Sequence, residues 1–390
     1  MERVRKLEYD KMNSPSVYKR PIKKVHIVGI DYTLYVTVIL LVLIGIVMVF
    51  SASYYAAVTL HNFGRFHFLR SQAINGLIGF TLMSLLSNVN YRYWARFIFI
   101  FYWGSMFLLL LVPFLGDEAG GATRWIAIGG FRFQPSEPAK LATILMIAKI
   151  LATKKNLLKN LKGHIHVGAY LLIAVGLVGI ENLSTAIVIA LIGAAMIFVA
   201  SPFTLPFIML AGIGGGAGLT AVLTLGEGFR MARIAAWRDP WSDPTGVGFQ
   251  TVQSLYAIGS GGIFGVGLGN SRQKLGFIPE AHNDIIFSVI VEELGILGGG
   301  IILFLFGVFL WRAIKISINS SDMFGSLIAT GIAVMVGSQA LINVGVVTNT
   351  MPNTGVPLPF ISFGGTSLII IMSSVGLLLS ISRYKKDLIS

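Results

Sequence analysis

The feature that most limits what this chain can fold into is a series of apolar runs. Most are long enough, at about 18 residues or more, to cross a bilayer as a helix. They fall near 31–52, 73–88, 94–115, 135–152, 167–181, 183–200, 203–225, 284–311, 325–347 and 364–382. With 55% of 390 residues hydrophobic and only 12% charged, a soluble domain could not hide so much apolar surface. The expected fold is an all-α integral membrane protein of about ten transmembrane helices. The fifth and sixth are separated only by Glu181 and Asn182. An even number of spans puts both termini on one side.

Lysine and arginine orient the spans. The N-terminal tail, the loop KKNLLKNLKGH at 154–164, the region of Arg312 and Lys315, and RYKK at 383–386 share one side. By the positive-inside rule that side is the cytoplasm, so both termini are expected there. The division is then a basic cytoplasmic tail over 1–28, a polytopic membrane domain over 29–384 and a cytoplasmic end over 385–390. The tail is too long and polar before its first span to be a cleaved signal peptide. The largest extracytoplasmic loop, 226–283, lies between helices 7 and 8. Its stretch SLYAIGSGGIFGVGLG is apolar and glycine-rich yet too short to span, which suits a re-entrant or interfacial piece.

Composition also narrows the chemistry. Cysteine is absent and the six histidines show no HExxH spacing, so no metal site is called for. The net charge of +13 does not indicate nucleic acid, because the basic residues cluster beside apolar spans. GSGGIFGVGLG lacks the strand–turn–helix setting of a nucleotide loop.

Polar residues gather in three outer segments. In RWIAIGGFRFQPSEPAK, 124–140, Glu137 and Lys140 lie three apart on one helical face. A charged pair inside a membrane helix is expensive unless paired, wet or used; a salt bridge locking two helices and a ligand contact stand equally open. In WRDPWSDPTGVGFQTVQSLYAIGSGG, 237–262, Trp237 and Trp241 suit interfacial anchoring, while Arg238 asks for a partner. The third segment, SRQKLGFIPEAHNDIIFSVIVEELG, brings Lys274, Glu280, His282 and Asp284 to the mouth of the eighth span. A carboxylate at that boundary can be tuned as a base by burial and nearby cations. The alternatives are a helix N-cap for Asp284, a structural hydrogen bond for His282, and buried, hydrogen-bonded roles for Glu292 and Glu293.

The strings FQPSEPAK, QSLYAIGSGG, GVGLGNSRQKLGFIPEAHNDIIF, EELG and TGVPLPFISFGGTS, in this order, resemble the SEDS (shape, elongation, division and sporulation) family from about Asp31 to Tyr384. FSAS at 50–53 and the overall pattern look closer to the FtsW/SpoVE branch than to RodA. The resemblance implies a peptidoglycan glycosyltransferase of the bacterial cytoplasmic membrane that polymerises lipid II on the outer face. It also implies a class B penicillin-binding protein as transpeptidase partner, beside other division or elongation proteins. The family's essential aspartate maps to Asp284, its conserved Arg, Glu and Lys to Arg124, Glu137 and Lys140, and its PEAH acid to Glu280. Asn283 and Pro138 depart from the family pattern without removing a charge. On this reading Asp284 is the general base, with Arg124, Lys140, Arg238 and Lys274 as cations for the leaving diphosphate. No cofactor is required, although a divalent cation (Mg or Mn) could assist by the same electrostatics. A lipid II flippase and a non-enzymatic division scaffold are the rival functions.

Overall fold

Apolar side chains without interruption favour helices here, because in lipid each backbone polar group must find a partner within its own segment. The protein, a computed structural model, is described over residues 26–27, 29–60, 64–119, 122–128, 131–154, 157–201 and 229–385. Helix α1 (Tyr32–Tyr55) starts at Asp31, whose carboxylate accepts the Leu34 N–H as an N-cap. Then follow α2 (His67–Asn88), α3 (Ile98–Leu115), α4 (Ser136–Thr153), α5 (Leu161–Glu181) and α6 (Leu183–Ala200). Two shorter helices, α7 (Phe229–Arg238) and α8 (Phe249–Gly261), precede α9 (Ile286–Asn319), α10 (Met323–Val347) and α11 (Gly365–Ser382).

Seven of the described helices are long and apolar enough to cross a membrane: α1, α3, α5, α6, α9, α10 and α11. The expected second and fourth spans are occupied by α2 and α4, and α4 carries Glu137, Lys140 and Lys149. The chain is thus a mostly helical, multi-pass membrane protein. The expected seventh span at 203–225 lies outside the described residues. So do the basic tail 1–28 and the end 385–390, apart from His26, Ile27 and Lys385.

Two small sheets amend the all-helical expectation. Strands β2 (Gly116–Ala119), β3 (Ala122–Ile128) and β4 (Phe131–Phe133) form an antiparallel sheet between α3 and α4. Strand β1 (His26–Ile27) pairs antiparallel with β5 (Tyr384–Lys385), so the two ends of the described chain meet. Around that junction Arg312 binds Asp31, and Arg92 binds Asp322 at 2.6 Å. One end of the helix bundle is therefore closed by ion pairs. The other end carries the three-stranded sheet, α7, α8 and the loops 262–285 and 348–363.

Helix α9 is longer and less regular than the expected run 284–311. Thirty-four residues would rise about 51 Å, well beyond a hydrocarbon core of roughly 30 Å. It is broken at Gly295, whose φ of 72° takes it out of the helix. The segment after α8 fills the break. Val266 N–H donates to Glu292 O, Gly267 N–H to Glu293 O, Ile296 N–H to Gly262 O and Leu297 N–H to Ile263 O. A β-carbon on Gly295 would stand 2.5 Å from Gly265 N, and one on Gly265 would stand 2.6 Å from Gly295 N. Both glycines have positive φ, so only glycine allows this approach.

Candidate active site

Asp284 lies just before α9, but it does not cap that helix. The N-cap position is Ile285 and no side chain accepts there, because the preceding turn delays the helix by one residue. The turn is built from Asn283 N–H donating to Glu280 O at 2.8 Å, with the Asn283 side-chain amide on Glu280 Oε2. Glu280 adopts φ 52°, a left-handed conformation that costs a non-glycine residue about 1–3 kcal/mol. The Asp284 side chain is left half-buried and uncommitted to helix capping.

Two backbone clamps hold it. The Asn343 side-chain amide of α10 donates to Asp284 O at 2.6 Å and to Val356 O at 2.9 Å. Phe363 N–H donates to His282 O at 2.9 Å. Both tie the Asp284 turn to the loop 348–363. In that loop Gly355 sits between Asp284 and β3: a β-carbon there would stand 3.5 Å from Arg124 Nη1 and 3.8 Å from Asp284 Oδ2. Arg233, from α7, has Nη1 at 3.4 Å from Asn353 O in the same loop.

Burial pushes the Asp284 carboxyl up to about 6, and Glu280 pushes the same way. Arg233 and Arg124 pull it down. Arg233 feels the same group in reverse: burial and Arg124 lower its affinity for a proton, and Asp284 raises it. The result is a carboxylate poised near neutrality beside two guanidinium groups. Such a centre can take a proton from a hydroxyl while cations face an anion.

The other expected residues lie in different settings. Lys140 donates to Glu137 at 2.8 Å, and Ser367 of α11 donates to the second Glu137 oxygen at 2.9 Å. That arrangement joins α4 to α11, the structural alternative raised by their spacing. Lys274 is 6% exposed and pairs with Glu293 at 2.6 Å, its charge engaged inside the protein rather than facing a cleft. Arg238 is exposed at the end of α7. His282 packs its ring 4.4 Å from Phe68 and 5.5 Å from Phe363. Trp237 is bound by its indole N–H to Asn349 O at 3.2 Å, an anchor on protein, while Trp241 is exposed against Tyr256. Among the described residues no three His, Cys, Asp or Glu side chains form a metal cluster. The sequence alone does not single out Arg233 and Asn343 as members of this centre. A lone asparagine inside the apolar stretch of α10 was the available signal for the second.

With this geometry in hand, the likenesses to known proteins become specific. The family described as "Cell cycle protein", which joins FtsW, RodA and SpoVE, matches residues 32–387. Stage V sporulation protein E of Bacillus subtilis (strain 168) is 40% identical over 91% of this chain and 98% of its own length. A protein of Geobacter sp. (strain M18) named "Probable peptidoglycan glycosyltransferase FtsW" is 39% identical over 91% of this chain and 97% of its own. Among solved structures, a chain of a peptidoglycan synthase complex that coordinates polymerization and crosslinking matches with TM-score 0.75 and 30% identity, covering 91% and 98% of the two chains. The rod shape determining protein RodA of Thermus thermophilus matches with TM-score 0.67 and 27% identity, covering 91% and 97%. The chain belongs to the FtsW/RodA/SpoVE family of cell cycle proteins.

Proposed function

We propose that this protein is a peptidoglycan glycosyltransferase that polymerises lipid II at the outer face of a bacterial cytoplasmic membrane during division or spore-wall synthesis. The names of its relatives support the activity. The observation that carries the mechanism is Asp284, half-buried at the mouth of α9 with Arg124 and Arg233 acting on it. In this reading the end of the bundle bearing Asp284 faces outward, and the end joined by β1 and β5 faces the cytoplasm with both termini.

The acceptor is the 4-hydroxyl of a GlcNAc unit. Asp284 accepts its proton as the oxygen attacks the anomeric carbon of the donor MurNAc with inversion. The new C1–O4 bond forms as the C1–O bond to phosphate breaks, and undecaprenyl diphosphate leaves with the electron pair. Arg124 and Arg233 face the charge that grows on the diphosphate, and Arg238, exposed on the same helix as Arg233, can meet the lipid-linked phosphate further out. A divalent cation carried by the diphosphate oxygens would add to the same electrostatics. Glu137–Lys140 fixes α4 against α11 beneath the site, and His282 with Glu280 shapes the turn that presents the base. The proposed partner is a class B penicillin-binding protein acting as transpeptidase, in line with the synthase complex that supplies a similar chain.

Purified chain given lipid II should form glycan polymer and Asp284→Asn should not, and repeating the assay with and without the transpeptidase and a chelator reads the dependence on each. Polymer from Asp284→Asn at the wild-type rate would show that another group is the base. Vesicles carrying lipid II on one leaflet separate polymerisation from translocation, and translocation without polymer would favour the flippase.

A further inference from the structure

The loop that delivers Asp284 is held by both apolar and polar contacts. Between Lys274 and Asp284, Leu275 and Phe277 are 47% and 51% exposed, while Ile278 and Ala281 are buried. Its polar fixed points sit at its two ends. At the far end are the Asn343 and Phe363 hydrogen bonds described above. At the near end is a closed buried cluster. Lys274 Nζ donates to Glu293 at 2.6 Å and to Ser51 Oγ at 2.9 Å, and Ser51 Oγ donates to Glu293 at 2.7 Å. The preceding residue of α9 completes it: Glu292 accepts from Ser271 Oγ and from Arg272 N–H at 2.9 Å, and Ser271 Oγ accepts from Lys274 N–H at 3.2 Å. Consecutive glutamates thus hold one turn, the first by its backbone and the second by its lysine.

A buried ion pair adds little net stability over a well-packed apolar pair, because desolvation offsets the attraction. What it adds is geometry. An apolar contact can slide by an ångström at small cost, whereas an N···O contact closed by a third group cannot. Three elements meet in this cluster: α1 through Ser51, the loop through Lys274, and α9 through Glu293.

We propose that Lys274, Glu293 and Ser51 are positioning residues that set the register of the 271–284 loop and so place Asp284 for proton transfer. This rests on the reading of Asp284 as the base. Lys274 then serves the reaction through the loop rather than by touching the diphosphate.

The test uses the full chain in lipid nanodiscs with lipid II as substrate. The volume-matched apolar double variant Lys274→Met/Glu293→Leu leaves no charge unpaired, so it should keep the wild-type melting midpoint. Its kcat should fall about tenfold or more with KM within twofold, and the acid limb of kcat/KM should move from its wild-type midpoint. The swapped pair Lys274→Glu/Glu293→Lys should recover part of that kcat. Ser51→Ala should lower kcat two- to threefold at unchanged KM. A folded Met/Leu variant with wild-type kcat overturns the proposal; should that variant fail to fold, wild-type kcat and pH midpoint in Ser51→Ala do so. An Asp284→Asn control in the same assay separates the two readings, since full activity there removes the base assignment itself.

Discussion

Among the described residues, two kinds of charged cluster stand in contrast within the apolar fold. In Lys140–Glu137–Ser367 and Lys274–Glu293–Ser51, a lysine and a serine both donate to one glutamate, and none of the six is more than 8% exposed. Around Asp284 the acid and both arginines are half-buried, and the two guanidinium groups oppose the effect of burial on the carboxyl. The closed clusters join elements: α4 to α11, and α1 to α9. The open one leaves a carboxylate able to change protonation near neutral pH. A charge in an apolar chain therefore marks a reactive site only when its environment leaves it accessible and balanced between opposing influences.

The contrast breaks first, and by the widest margin, at Asp284. Asp284→Asn should reduce lipid II polymerisation by about 10²–10⁴-fold, the usual contribution of a positioned base. The stabilities of the two proteins should differ little below about pH 3.8 and part in a defined direction as pH rises. Asp284 has its ordinary value of 3.8 raised to about 6, so its stabilising contribution is complete below about pH 3.8 and is lost as pH rises through 6. Melting curves of wild type and Asp284→Asn should diverge across that window, with the wild type losing more as pH rises.

At a closed cluster the effects should be reversed in kind. Lys140→Met leaves Glu137 buried without its cation and should cost about 3–5 kcal/mol of stability, read by chemical or thermal unfolding in detergent. If Lys140→Met melts like wild type but loses polymerisation, Lys140 belongs with the open cluster after all.

Smaller changes sharpen the open cluster itself. Arg233→Ala should lower kcat/KM by about tenfold, the order expected for one charge-assisted contact, and should move the acid limb to higher pH. Glu280→Gln should move it to lower pH, because Glu280 raises the Asp284 value; a pH–rate series on the three proteins reads both signs. Smallest of all, Trp237→Phe removes the indole bond to Asn349 O and should cost about 1 kcal/mol, with a modest fall in melting midpoint.

Much of this arrangement can be read from the chain. The apolar runs locate α1, α3, α5, α6, α9, α10 and α11, because a bilayer leaves helices as the economical solution. Asp284 is visible because it directly precedes one of those runs. Arg233 is not, since several arginines share its segment and only the fold of α7 brings this one to Asn353. The destination of Lys274 is equally hidden: its partners lie on α1 and on the far side of a turn, and no local spacing announces them. The sheet β2–β3–β4 escapes because its strands are short and carry no long period-two alternation.

The meeting of Gly265 and Gly295 has a consequence for how such a chain can drift. Neither position can accept a larger residue while the other backbone stays where it is, so the two are frozen together rather than separately. The stretch between them is a cassette with welded ends. Any insertion or deletion between them would have to be taken up in the loop that carries Lys274 and Asp284, and would pull those residues away from the partners on α1, α9 and α10 that fix them.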